Sequence, residues 1–472
     1  MSKRNFYLKN SFYSLIGKGI AGVSGYLYIL LLNKILTPAE YGTYVLAFTI
    51  VMTASLLIDG GFAKLLLYKI PQFDDEEKAD DLSANILLWE IILSLLLIIL
   101  FIKGSSAVSL FFNNPQLSNW IKVLSPIILL NAVKNFYLAW LRAKHRIFEN
   151  VLINEILFPL FKITALLIVF FISDKPLFIS FALSSAIFLS FSKWLKSDPV
   201  WKSLNIKSLT KEDWVYTFQL MWTRLFNRFI NRMDILMIGY LLTSNMVAEY
   251  KIAWKLSILV RYGDDILTKI FVPRISAYFA KQNFTEFREE FDFIRRSSLL
   301  IGLISATLLI IFGRDLIFIF GDYNLVYKML VVLLAGWIFN LSLTNIGNTL
   351  QMAGKGNLVF YNQFFLFFFN FAGNYILINK FGVLGGCLAT VISQVIMNLV
   401  TYIEVLLSLK INLYSLSAVS ITVSFIIGML LTAFGLVSYT LFSLVSIILI
   451  LFLLYQLKSD LKRLRGGILN GF

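Results

Sequence analysis

One cysteine and one histidine in 472 residues exclude several classes of protein at the outset. The lone Cys387 cannot close an internal disulfide, and with only His145 beside it no zinc cluster or other metal site is expected. The chain has no Walker phosphate loop, and one histidine gives no basis for a His-centred triad. No enzyme activity and no cofactor are therefore expected. Charge is also scarce, at 15% of residues. The acidic run Asp74, Asp75, Glu76, Glu77 and the basic turn around His145 read as solvated loops.

Apolar residues fill the space that charge leaves. The chain is 58% hydrophobic and 16% aromatic, with 44 Phe and a mean hydropathy of +0.78. Those values suit a polytopic membrane protein whose partner is the lipid bilayer. A net charge of +15 raises the question of nucleic acid, but the positions of the basic residues point to the membrane instead.

Apolar runs of about 20 residues mark membrane spans. They fall near 11–33, 42–64, 83–103, 119–141, 150–172, 176–194, 214–241, 246–269, 297–319, 327–350, 358–379, 382–407, 412–434 and 437–457. This predicts an all-α protein of about 14 transmembrane helices. The run after MSKRNFYLKN is long and lacks a small-residue cleavage site, so it reads as the first span and not as a signal peptide. Lys and Arg fix the orientation. Loops on the side of the N-terminus hold 26 of them, whereas the opposite loops hold only Lys34, Lys103, Lys175, Arg314, Lys328 and Lys380. Both termini are expected in the cytoplasm, with the chain in the plasma or inner membrane.

The span at 214–241 is unlike the others. Read as one helix at about 100° per residue, it puts Arg224, Asn227, Arg228, Asn231, Arg232 and Asp234 on a single arc of roughly 160°. Charges at membrane depth cost kilocalories each unless they face water, a partner or a ligand. Three arginines on one arc point to an anionic group held inside the bilayer, with Asn227 and Asn231 as uncharged donors and Asp234 as a counter-charge. The next span carries Lys251, Lys255, Arg261, Asp264, Asp265 and Lys269, of which Lys255 and Arg261 lie nearest its middle. The first span holds Lys18 within a stripe of small residues, Gly17, Ala21 and Gly25. Asp59, Glu90, Lys122, Lys134, Glu155 and Lys162 are further charges within spans. Pro126 and Pro159 are expected to bend their helices, and residues 275–296, with four Phe among charges, read as an interfacial helix.

Two stretches repeat each other. ILTPAEYGTYVLAF follows the first span, and LLTSNMVAEYKIAW lies at the end of the seventh. Leu36, Thr37, Tyr44 and Ala47 correspond to Leu242, Thr243, Tyr250 and Ala253. This predicts a six-helix bundle over 1–210, a second over 211–410, and two extra helices with a basic tail over 411–472, with a substrate site where the repeats meet.

LTPAEYG followed by IDGGFAKLLLYKI resembles the first helix pair of polysaccharide flippases. RMDILMIGYLLTSNMVAEYKIAWKL, QMAGKGN and NYILINKFGVLGGCLATVISQ fit the same family, so the resemblance covers nearly the whole chain. These flippases belong to the multidrug/oligosaccharidyl-lipid/polysaccharide exporter superfamily. The resemblance implies two six-helix bundles around a central cavity, alternating access, and movement of a polyprenyl-pyrophosphate-linked glycan from the inner to the outer leaflet. It also implies a cavity role for Lys18 beside Lys255, and polysaccharide polymerase and glycosyltransferases as pathway partners. On this reading Lys18, Arg224, Asn227, Arg228, Asn231, Arg232, Lys255 and Arg261 bind substrate. Asp59, Glu90, Asp234 and Asp265 balance charge or couple an ion. A peptidoglycan-precursor flippase and a drug/cation antiporter of the same superfamily are the alternatives.

Overall fold

The computed structural model describes residues 3–73, 75–169, 175–197, 209–321, 323, 325–413 and 415–469. Side chains at 3–16, 169, 194–197, 223, 227 and 461–469 lie outside that description, as do Asp74 of the acidic run and the basic segment 198–208. Among the described residues the chain is all-α, with twenty α-helices and no strand.

Two compact units divide the chain, Met1–Ala248 and Glu249–Phe472. The first holds α1 (Lys3–Ile35), α2 (Pro38–Ala54), α3 (Leu56–Lys69), α4 (Glu76–Phe111), α5 (Pro115–Leu124), α6 (Ile127–Ala143), α7 (Ile147–Val151), α8 (Phe158–Val169), α9 (Lys175–Ser197), α10 (Lys211–Ile230) and α11 (Met233–Leu241). α12 (Ser244–Ser257) begins in it and ends in the second. The second continues with α13 (Tyr262–Ala280), α14 (Phe284–Phe320), α15 (Val326–Ser342), α16 (Ile346–Met352), α17 (Gly356–Phe381), α18 (Val383–Leu409), α19 (Leu416–Ala433) and α20 (Tyr439–Leu469).

The motif LTPAEYG owes its pattern to a helix start. Thr37 caps α2, Pro38 occupies the first turn where no backbone donor is needed, and Glu40 Oε2 accepts from the Thr37 amide at 2.8 Å to complete a capping box. Gly42 then lets α2 pass against the Ser244 backbone, where any Cβ would collide with the carbonyl. Thr43 and Asn114 both hydrogen-bond the Ser244 hydroxyl, at 3.1 and 2.9 Å.

Pro126 bends its span as expected. α5 and α6 meet at 42°, and the Lys122 carbonyl, left without the donor that proline lacks, accepts from the Ser125 hydroxyl at 2.9 Å. Before Pro159 the chain adopts a π-helical turn over Leu152–Leu157. That turn packs on Gly17 of α1, where an added Cβ would fall 2.8 Å from the Glu155 Cβ. Gly17 therefore serves close helix approach.

Among the described residues, nine helical segments are long and apolar enough to cross a membrane, or up to eleven when two bent pairs each count as one span. The chain is a multi-pass membrane protein. The expected spans 11–33, 214–241 and 246–269 are helical but do not join that set. The last two are interrupted, one at Asn231–Arg232 and the other by a 3₁₀ turn over Ile258–Arg261.

One expectation is corrected in the second unit. Residues 275–296 form no separate interfacial helix. α13 runs to Ala280, and after a three-residue corner α14 begins. Phe287 and Phe291 are buried with Phe271 and Ile275 in an apolar core, so these phenylalanines face the hairpin's interior. The corner is tied by Glu290, which accepts from Arg274 at 2.6 Å and from the Tyr278 hydroxyl at 2.5 Å. Burial and that carboxylate push the Tyr278 hydroxyl up to about 12.

Candidate functional site

The first unit builds a charged cavity where α3, α6 and α10 converge. α10 is fixed against α3 along most of its first half. Gly61 admits the Thr217 carbonyl where a side chain would clash. Trp214 meets Phe62 edge-on at 5.6 Å and Trp89 of α4 at 5.2 Å, and Tyr216 lies against Tyr68 at 5.1 Å. At the helix start Thr210 and Asp213 exchange backbone and side-chain hydrogen bonds, and Lys69 pairs with the same carboxylate. Burial opposes the charged form of Asp213. The hydrogen bonds from Lys69 and Thr210 outweigh it and hold the carboxyl below its ordinary value. With this half anchored, the second half of α10 carries Arg224 and Arg228 into the cavity.

That cavity has a volume of about 420 Å³. Arg224 and Arg228 line it from α10, Asn231 from the break after α10, Arg142 and Asn135 from α6, and Asp59 from α3. Three guanidinium groups therefore face one carboxylate. Arg142 and Arg224 lie close enough to repel each other, and Arg224 and Arg228 both act on Asp59. Asp59 is 3% exposed and accepts a short hydrogen bond from the Asn135 amide, while its Oδ1 has no hydrogen-bond partner among the described residues. No ion pair closes on Arg224 or Arg228 among the described residues. An excess of convergent, incompletely neutralised guanidinium groups suits an anion with several oxygens, because the planar fork matches phosphate geometry.

The arc expected on a single helix is not continuous. α10 ends at Ile230 and α11 starts at Met233, with a turn over Asn231–Arg232. The break turns Arg232 away from the cavity, and its Nη1 donates to the Thr49 hydroxyl of α2 at 3.4 Å. Asp234 is buried in the first turn of α11 and does not line the cavity. Of the six residues placed on that arc, Arg224, Arg228 and Asn231 line the cavity, whereas the Asn227 side chain lies outside the described residues.

The remaining expected residues scatter. Lys18 is exposed on α1, away from the cavity lining, and Lys255 is half-buried on α12. Glu90 is fully buried on α4, with neither carboxylate oxygen hydrogen-bonded among the described residues and Asp59 within electrostatic reach. Arg261 and Asp265 belong to the second unit, where they pair at 3.3 Å and Arg261 lies 4.7 Å over the Trp337 ring. Asn135 and Arg142 were not among the expected site residues. Their signal was spacing: both lie at the basic-side end of the span 119–141, two helical turns apart and on one face.

Residues 31–323 match the family described as polysaccharide biosynthesis protein, which is more than half of the chain. The chain belongs to that family. Its fold extends the likeness. A lipid II flippase, MurJ, in an inward closed conformation superposes with a TM-score of 0.72 at 14% identity, covering 95% of this chain and 99% of that one. An inward-facing multidrug resistance MATE transporter of the MOP superfamily gives 0.69 at 12% identity, covering 85% and 98%. A MOP superfamily transporter from Pyrococcus furiosus, described as having a binding pocket of reverse polarity, gives 0.61 at 12% identity, covering 86% and 96%. At such identities these likenesses establish a shared fold. No curated protein matches the chain. Within this polysaccharide biosynthesis protein, the cavity on α3, α6 and α10 lies inside the matched stretch 31–323.

Proposed function

We propose that the protein is a flippase that moves a polyprenyl-pyrophosphate-linked oligosaccharide from the cytoplasmic to the outer leaflet for surface polysaccharide biosynthesis. One observation carries the reading: Arg142, Arg224 and Arg228 converge on a cavity where Asp59 is the single acid among the described residues. A pyrophosphate brings two or more negative charges, and its lipid tail can remain in hydrocarbon, so only the head needs a polar path. Membership in a polysaccharide biosynthesis family and the fold shared with MurJ and MATE transporters support this reading. The proposal takes the chain as fourteen spans in two six-helix bundles over 1–210 and 211–410, plus two helices over 411–472, with both termini cytoplasmic. Polymerase and glycosyltransferases of the same pathway would be its partners.

The membrane potential assists such a step. With the inside negative, outward movement of an anion is favoured by about 2.3 kcal/mol per charge per 100 mV. The same field draws the empty cationic cavity back inward. Collapse of the potential in proteoliposomes is expected to slow transport, and unchanged transport would reject a potential-assisted cycle. A drug/cation antiporter needs acids facing its ligand, and this cavity presents the opposite charge balance. A peptidoglycan-precursor flippase shares the pyrophosphate chemistry, and the polysaccharide family favours the oligosaccharide reading.

The deciding experiment is binding of a short-chain polyprenyl pyrophosphate to the purified protein, with a cationic dye as control. Pyrophosphate binding that weakens in Arg228→Ala is expected. Dye binding without pyrophosphate binding would overturn the proposal.

A further inference from the structure

A second cavity, within the second unit, differs from the first in its chemistry. It has a volume of about 320 Å³ and is lined from α13, the α15–α16 break, α17 and α18. This volume is at the small end of the ~300–1,000 Å³ typical of ligand pockets. Six side-chain amides face it, among them Asn345, Asn348, Gln363 and Asn398. Its charged residues are Arg261, Asp264 and Asp265. Arg261 and Asp265 pair with each other, which leaves Asp264 as the unneutralised charge.

Asp264 is held in place. It is 6% exposed, and its Oδ1 accepts from the Ser298 hydroxyl at 2.7 Å and the Thr344 hydroxyl at 2.6 Å. Thr344 in turn accepts from Asn345 at 3.1 Å, and Asn345 accepts from Asn348 at 2.9 Å. This chain exists because the helix breaks. Asn345 takes a left-handed conformation, φ +61°, which asparagine tolerates better than most residues, and the 42° bend at that point opens the cavity. The other oxygen, Oδ2, accepts no hydrogen bond among the described residues and is a fixed, charged acceptor.

Ligand chemistry follows from that inventory. An unneutralised carboxylate rejects a phosphate. A bare monovalent cation would leave most of the volume to water, and it would use only the oxygen of each amide. An amide offers both an acceptor and a two-hydrogen donor, which matches a hydroxyl that donates and accepts. A carboxylate fixed by neighbouring donors takes a charge-assisted hydrogen bond from a hydroxyl. Leu343, Ile346 and Val359 add an apolar wall for the C–H face of a ring.

We propose that this cavity is a saccharide subsite that takes one neutral, hydroxylated sugar of the lipid-linked head group, with Asp264, Asn345, Asn348 and Gln363 as the residues that select it. The inference rests on the pyrophosphate-lipid reading, and it assigns glycan choice to residues distinct from the arginines.

Gly347 provides the test. It lines the cavity, and a Cβ there would meet no atom within 4 Å, so a large side chain enters open space. The probes are the methyl glycosides of glucose, galactose, N-acetylglucosamine and N-acetylgalactosamine, and separately a bare short-chain polyprenyl pyrophosphate, each titrated into full-length protein in nanodiscs. One glycoside is expected to bind the wild type tenfold or more tighter than the weakest of the four. Gly347→Phe and Asp264→Asn are expected to abolish that preference and leave pyrophosphate binding unchanged. Gly347→Phe removes no hydrogen bond, so it guards against a folding defect in Asp264→Asn. A preference that persists in Gly347→Phe, or no binding of any glycoside, overturns the subsite while the pyrophosphate reading stands. Failure of the pyrophosphate probe to bind the wild type overturns both.

Discussion

Arg228 and Arg232 are four residues apart and would share a face on an unbroken helix, so substituting each by alanine tests whether the break after Ile230 divides their roles. Arg228 lines the cavity without an ion pair among the described residues, whereas Arg232 donates to Thr49 outside it. Two unit charges at 4 Å interact by about 4 kcal/mol at an effective dielectric near 20. Arg228 is solvent-exposed, so screening reduces that figure, and a charge-assisted hydrogen bond nets about 1.5–3 kcal/mol. A loss of about 2 kcal/mol is the reasonable centre, and at 1.4 kcal/mol per decade it corresponds to about 30-fold weaker pyrophosphate binding. Arg228→Lys keeps the charge and loses the fork, so a smaller loss is expected. For Arg232→Ala the expected loss is under about threefold, within a few tenths of a kcal/mol. Isothermal titration of a short-chain polyprenyl pyrophosphate into protein in nanodiscs reads all three, and raised salt should shrink the Arg228 effect. Equal losses in Arg228→Ala and Arg232→Ala would refute the reasoning, because they would restore the continuous arc.

Asp59→Asn removes the only acid that lines the cavity among the described residues and is expected to tighten pyrophosphate binding severalfold while slowing transport in proteoliposomes. Weaker binding would show that Asp59 positions the arginines instead of tempering them. Gly61→Ala forces a Cβ into the Thr217 carbonyl and is expected to cost about 1–3 kcal/mol, read as a lower thermal unfolding temperature together with weakened pyrophosphate binding. The Asp213 carboxyl is held below its ordinary value, so its stabilisation is complete above the unfolded-state value near 3.8 and is lost as pH falls through the lower folded value. Thermal stability measured from pH 6 down to about pH 3 should therefore drop at the acid end, and Asp213→Asn should flatten that drop. Arg295 is 1% exposed and donates to the Leu413 carbonyl at 2.6 Å while pairing with Asp292. Arg295→Ala is expected to destabilise the protein by about 1.5–3 kcal/mol, through loss of its charge-assisted hydrogen bonds to the Leu413 carbonyl and to the partly exposed Asp292, measurable by thermal unfolding in detergent.

Fold class was legible because a bilayer leaves few solutions: each span must satisfy its own backbone, and about 20 apolar residues announce it. Pro126 was legible for the same reason, since a missing donor bends a helix wherever it falls. Arg224 and Arg228 stood out because isolated charges in such a span are costly. The break at Asn231–Arg232 was not legible. No proline or glycine marks it, and Arg232 finds its partner, Thr49, in a helix distant in sequence. Periodicity extrapolates a helix until something local stops it, and here the stop is tertiary. Asn345 was hidden likewise, because its left-handed backbone follows from the bend and the hydrogen bonds to Thr344 and Asn348. The two interruptions have a common consequence. Each ends a helix at a cavity edge and redistributes the side chains there: the first keeps Asn231 beside the arginines and takes Arg232 to Thr49, and the second sets Thr344 against Asp264. In a membrane an interrupted helix is tolerated where it is buried in protein or lines a polar cavity. The local pattern thus identified which spans carry the chemistry, and the breaks within them decide which residues reach it.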